Sequence, residues 1–192
     1  MSAFQHMVTL LSFVLALAVA HQLLSIVEIV RAGQRVSLSA VHALWMVNAF
    51  LQVIGWWFGI WDLRDVKDWP FVSVMANFAA VVCVFLAIAF VCPRIPESGK
   101  FDLWKFHLQN RRRYALFIAV TNALAIAVSL YYGSAYGVPG QTLEAAFMAL
   151  ILLGALAAMA FSSTSAQWLS AFASLGGTIL FFVVADPILK SG

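Results

Sequence analysis

The chain has 192 residues, of which 64% are hydrophobic and 10% charged, with a formal net charge of +3 and a mean hydropathy of +0.95. Soluble domains run at about 45–50% apolar and about 25% charged, so this composition excludes a soluble globular enzyme, a disordered chain and a disulfide scaffold. It indicates an all-α polytopic membrane protein: six spans of about 20 residues plus short connections use up the length and leave no sizeable extramembrane domain.

The first apolar run is read as a span near residues 4–30. Val8 to Leu17, followed by Ala18-Val19-Ala20, resembles a secretory leader with a small-residue cleavage site. No Lys or Arg lies in the first seven residues, however, and the run continues to Val30, so a retained span is expected. The second span is placed near 40–61 and the third near 70–92, where Pro70 suits a first helical turn and Pro93 and Pro96 end the helix. Cys83 and Cys92, in that third span, are about 13.5 Å apart on opposite faces of a helix and cannot form a disulfide. Phe101, Trp104 and Leu108 make the 101–113 segment amphipathic. It is predicted to lie in the membrane interface or to extend the fourth span inward, with Arg111, Arg112 and Arg113 at anionic lipid headgroups. The remaining spans fall near 114–136, 143–162 and 167–186. Gly137, Pro139 and Gly140 separate the fourth from the fifth, and Ser162-Ser163-Thr164-Ser165 joins the fifth to the sixth. Together they make one six-span transmembrane domain over 1–192.

Arg31, Arg35, Arg94, Lys100, Lys105 and Arg111 to Arg113 flank one side of these spans, and Arg64, Lys67 and Lys190 the other. This bias places the first group in the cytoplasm and both termini outside. The outer face is then relatively acidic (Asp62, Asp65, Asp68, Glu144, Asp186) and aromatic (Trp56, Trp57, Trp61, Trp69, Tyr131, Tyr132, Tyr136). It reads first as an interfacial aromatic belt and second as a cation-attracting vestibule. Small residues in the last two spans, among them Gly154 with Ala158, Ser170 with Ser174 and Ala173 with Gly177, are spaced for close helix packing and offer faces for possible helix partners. No internal inverted repeat is visible.

Polar groups at bilayer depth are costly and are the best functional pointers. Measured from the span midpoints, Asn48 and Gln52 lie within about 3 Å of the centre. Asn122 and His21 lie about 4–6 Å inward of it and Asn77 about 6 Å outward. These residues are expected to form one central polar layer contributed by four spans. A second cluster sits nearer the cytoplasm: His21, Ser25 and Glu28 share a face of span 1, and Glu28 is expected to face the bundle and pair with His42 as a proton-handling unit, with Arg31 or Arg35 as alternative partners.

Ala20-His21-Gln22-Leu23-Leu24, His42-Ala43-Leu44-Trp45, Trp56-Trp57 and Asn110-Arg111-Arg112-Arg113-Tyr114 resemble a widespread group of small bacterial six-helix membrane proteins. The likeness covers roughly the first two thirds of the chain. It implies a bacterial inner-membrane location and adds no activity.

Three function classes follow. The first is a channel or carrier for an ion, proton or small solute through the central layer. The second is a non-catalytic accessory or assembly subunit of a larger membrane complex. The third, placed well behind, is a b-type haem protein with His21 and His42 as axial ligands. A vitamin-binding module of an importer has about this size too, and its binding groups would come from the outer loops. There is no HExxH, no phosphate-binding glycine loop, no nucleophile elbow and no paired carboxylate inside a span. Neither a catalytic site, a resident cofactor, a metal nor a nucleic-acid partner is therefore expected; the expected surroundings are the lipid bilayer.

Overall fold

The computed structural model describes residues 3–61, 63–66, 68–138 and 140–185. Asp62, Lys67, Pro139, Asp186 and Lys190, named above, lie outside them. Six α-helices follow one another: α1 Ala3–Ala32, α2 Ala40–Trp61, α3 Phe71–Val91, α4 Leu103–Tyr136, α5 Gln141–Ala160 and α6 Thr164–Ala185. Each is long and apolar enough to cross a membrane. Large apolar side chains such as Phe13, Val30, Leu169 and Val183 stand exposed on their outer faces, as lipid-facing residues must. The chain is a multi-pass helical membrane protein.

The helix ends follow local chemistry. The residue before Pro93 leaves helical geometry, as a pre-proline residue is pushed to do, and Cys92 closes α3 with its N–H on the carbonyl of Ile88. Gly137 ends α4 at φ +64°, a left-handed position that suits glycine. At the start of α4, the Asp102 side chain accepts hydrogen bonds from the backbone N–H groups of Trp104 and Lys105 at 2.9 and 3.1 Å, an N-cap. The amphipathic segment is thus a continuation of the fourth span beyond the membrane core, at the end carrying the 92–102 connection. It does not lie flat in the interface: α4 runs unbroken for 34 residues, about 51 Å against a hydrocarbon core of about 30 Å.

The helices form a ring in the order α1–α3–α4–α5–α6–α2, closed by α2 against α1. α2 also touches α3 and α4 and so fills the centre. At the end carrying the 33–39 and 92–102 connections, called here the basic end, β1 (Val36–Ser37) pairs in parallel with β2 (Phe101–Asp102). The opposite, aromatic end carries the α2–α3 and α4–α5 connections. There Tyr132 is fully buried; its hydroxyl lies 2.6 Å from that of Ser73 and its ring 5.6 Å from the Trp69 ring. Tyr132 is therefore a core residue, while Tyr131, Tyr136 and Trp57 remain exposed as belt residues.

The small residues of α5 and α6 meet one another within the chain. A methyl group at Gly154 would stand 2.8 Å from the backbone nitrogen of Ser174, and one at Gly177 would stand 2.9 Å from Ile151 Cγ1 and 3.0 Å from the Phe147 carbonyl. The expected close packing is realised at Gly154 and Gly177, where α5 and α6 touch. Gly176 faces open space. Gly177→Ala and Gly154→Ala are expected to lower the thermal unfolding midpoint in detergent, because backbone must move. Gly176→Ala is expected to raise it, by about 0.5–1 kcal/mol of helix preference. Equal effects at 176 and 177 would contradict this packing.

Candidate functional site

The central polar residues divide into two groups. Asn48, at one per cent exposure, donates through Nδ2 to Ser174 Oγ at 2.8 Å and accepts at Oδ1 from Thr178 Oγ1 at 2.8 Å. Both partners are on α6. The expectation that the Asn48 face meets spans 1, 3 and 4 is corrected for this residue: α2 lies next to α6 in the ring, and Ser174 and Thr178, four residues apart, present hydroxyls matching one turn of α2. Asn48 thus ties α2 to α6, and Thr178 also lines the cavity described next.

Gln52, one turn further on, behaves differently. Asn122 Nδ2 donates to Gln52 Oε1 at 3.1 Å and to its own helix at the Ile118 carbonyl. Gln52 Nε2 is buried with no hydrogen-bond partner. Asn77 donates to the Ser73 carbonyl at 2.9 Å. These three amides line one cavity, part of it open to the outside, with a volume of about 70 Å³. At about 10–15 Å³ per water, it has room for a handful of water-sized molecules. Its walls come from the aromatic-end halves of α2, α4, α5 and α6, together with Asn77 of α3.

Glu144 also lines this cavity. It sits in the first turn of α5, at the aromatic end, is only 8% exposed and accepts from Gln141 Nε2 at 3.3 Å. The turn at Gly140, φ +83°, aims this first turn inward. In the sequence Glu144 stands at the edge of a span, where depth does not tell an inward carboxylate from an outward one.

The basic-end cluster is also rearranged. Glu28 is exposed, and its Oε2 lies 3.5 Å from the Ile95 backbone N–H, which donates to it. Ser25 is buried and donates to the Pro93 carbonyl at 2.9 Å, and Arg35 donates to the carbonyls of Pro96 and Glu97. These residues pin the 93–97 connection to the end of α1. The Glu28–His42 pair and the inward-facing Glu28 are therefore corrected: the connection after α3 supplies the polar partner for Glu28. His21 is half-buried.

His42 is fully enclosed. Its ring lies 5.4 Å from Phe106, edge-on, and 6.1 Å from His107, while the Val91 carbonyl approaches outside full hydrogen-bond geometry. His42 also lines an apolar cavity with Gln22, Met46 and Leu103, and both its ring nitrogens are buried without a hydrogen-bond partner among the described residues. Among the described residues no group of three or more His, Cys, Asp or Glu side chains is arranged as metal ligands.

His107 is buried. Leu103, His107, Arg111 and Tyr114 form the buried stripe of the α4 extension. Gln167 Nε2 donates to the carbonyls of Ala158 and Phe161, closing the end of α5. Its Oε1 therefore accepts, and His107 Nε2 is the donor, at 2.9 Å. In a neutral ring Nδ1 is then an acceptor, so Tyr114 donates to it at 2.7 Å. Arg111 is 8% exposed and bonds the Leu108 carbonyl of its own helix. Its assignment to headgroups is corrected, whereas Arg112 and Arg113 are exposed. Arg112 reaches the Met159 carbonyl at 3.4 Å and Arg113 lies over the Phe90 ring at 6.0 Å. Gln167 was the hardest of these to find: one glutamine in a span beginning gives no periodic signal.

No family model, curated protein or solved structure matches this chain.

Two outcomes are expected from this geometry. In a double-mutant cycle of Asn48→Ala and Thr178→Val, unfolding in detergent should give a coupling of about 0.6 kcal/mol, and at most about 1.7; zero coupling would contradict the contact. Gln167→Leu strips the α5 carbonyls and His107 of their partner at once and should destabilise by about 1–3 kcal/mol, measured by the same unfolding assay.

Proposed function

We propose that the protein is a channel or carrier for a small solute or ion in a bacterial inner membrane, with both termini outside. The observation that carries this reading is the cavity walled by Gln52, Asn77, Asn122 and Glu144. It reaches from the aromatic end to mid-bilayer depth, and polar walls at that depth are costly unless used. The Lys and Arg bias supports putting that end outside, so the cavity takes solute from the outer side. Further inward the path is shut by the Asn48–Ser174–Thr178 contact and then by Trp45, whose ring packs 5.5 Å from that of Tyr114, both fully buried. A site open on one side and closed on the other by breakable polar contacts suits alternating access better than an open pore. Arg112 and Arg113, exposed at the basic end, meet the anionic headgroups of the inner leaflet. The accessory-subunit reading is the weaker, because Gly154 and Gly177 pack inside the chain.

Stopped-flow light scattering of proteoliposomes tests this. Permeation of small neutral or cationic solutes should exceed that of empty liposomes. Gln52→Ala and Asn122→Ala should change the rate severalfold while the unfolding midpoint falls by no more than Asn48→Ala causes. Rates equal to empty liposomes for neutral, cationic and anionic solutes alike would sink the proposal. Reporters active only in the cytoplasm should be silent at both termini; activity at both ends would reverse the orientation.

A further inference from the structure

A second cavity lies between α1 and α2 in the basic-end half of the bundle. Its volume is about 620 Å³, within the range of about 300–1,000 Å³ usual for ligand sites. Its walls are almost wholly apolar and run from Ala40 to Phe50 along α2, about 15 Å. Gln22, Met46 and Leu103 are buried at its floor, whereas Val30, Leu38 and Val47 stand exposed at its rim. The cavity is therefore a cleft that opens sideways, and between two helices of a membrane-spanning bundle it opens to lipid. One polar atom of the floor is unmatched. Gln22 is 2% exposed, and its Nε2 donates to the Met46 carbonyl at 2.7 Å. That bond fixes the amide, since a flip would set two oxygens against each other. Oε1 is the free atom, and it has no hydrogen-bond partner among the described residues. Gln22 lies about 7 Å from the middle of α1, inside a hydrocarbon core that extends about 15 Å either way. No water is at hand there, and an unmatched polar group is costly. His42, on the same wall, lies nearer the basic end, with its ring packed against Phe106 and His107 of α4.

We propose that this cleft binds a lipid-phase alcohol, an apolar chain ending in a hydroxyl group, taken from the bilayer. The hydroxyl donates to Gln22 Oε1, and the chain leaves between α1 and α2 past Val47 and Phe50 towards the middle of the bilayer. The free atom of Gln22 only accepts, so its ligand must carry a donor. Ethers, esters and ketones have none. A carboxylate or an ammonium group brings a charge that is costly at this depth. An ordinary acyl chain covers the apolar wall but leaves the acceptor unmatched. The cleft is separate from the solute cavity at the aromatic end, and it holds its ligand whether or not solute crosses there.

Photolabelling tests this. The full chain in phosphatidylcholine nanodiscs is irradiated with tetradecanol carrying a diazirine in its chain, and labelled peptides are located by mass spectrometry. Label should concentrate in residues 22–30 and 38–50, which form the cleft. Plain tetradecanol should suppress it roughly three- to tenfold more effectively than tetradecyl methyl ether, the advantage that one hydrogen bond gives. Gln22→Leu should bring the alcohol down to the level of the ether and leave the ether unchanged. Ala43 is exposed in the cleft, and Ala43→Phe should lower labelling there severalfold by filling it. This variant leaves the Gln22–Met46 contact in place, so the test stays decisive if Gln22→Leu folds poorly. Label spread evenly over the outer helix faces overturns the proposal. Equal competition by alcohol and ether also overturns it and marks an ordinary acyl-chain groove. So does a Gln22→Leu chain with an unchanged unfolding midpoint that keeps the full preference for the alcohol.

Discussion

A polar side chain inside a bilayer has no water to turn to, so it must find its partner within the protein. That constraint organises this bundle from end to end. Asn48 is matched atom for atom by two hydroxyls of α6. Gln167 serves the open carbonyls of α5 and is itself held by His107. Ser25 and Glu28 serve the connection that leaves α3. Gln22 donates to the Met46 carbonyl and fixes α1 on α2. In each case one polar contact sets how two helices sit against each other, and the surrounding apolar side chains fill in around it.

Seen this way, the two ends of the bundle do different work. The basic end is knitted by a two-residue parallel pairing, a histidine–glutamine–carbonyl chain and four hydrogen bonds to the 93–97 connection. The aromatic end parts around a cavity, and there a buried amide donor is left without an acceptor.

The six spans were legible in the sequence, because span length acts through composition and needs no knowledge of neighbours. The spans near 40–61, 70–92 and 143–162 agree with α2, α3 and α5 to within two residues. The site was legible only in part. The i, i+4 spacing of Asn48 and Gln52 announced an inward face, but which helix receives a face is a property of ring order, and periodicity carries none of it. Ser174 and Thr178 read as packing residues since small hydroxyls serve both purposes. Glu144 and His107 lie near span ends, where a one-turn shift in depth or a rotation of the helix changes solvent exposure to burial. Glu28 went the other way for the same reason. The β1–β2 pairing escaped notice because two residues are too few to set up an alternation.

The parallel pairing also has a consequence for the order of assembly. Val36 pairs with Phe101 and Ser37 with Asp102, so a stretch following the first span waits for one that follows the third. His107 likewise waits for Gln167, sixty residues later. A chain made from its N-terminus inserts the early helices before either partner exists. The first helical hairpin therefore enters the bilayer with its 33–39 connection unlatched, and the basic end closes in two stages, first as residues 101–102 emerge and then as α6 arrives. Truncation after α5 would leave the first latch fastened and the second open, with bare carbonyls at the end of α5. The last helix is thus the keystone of biogenesis for a structure whose first five helices already span the membrane.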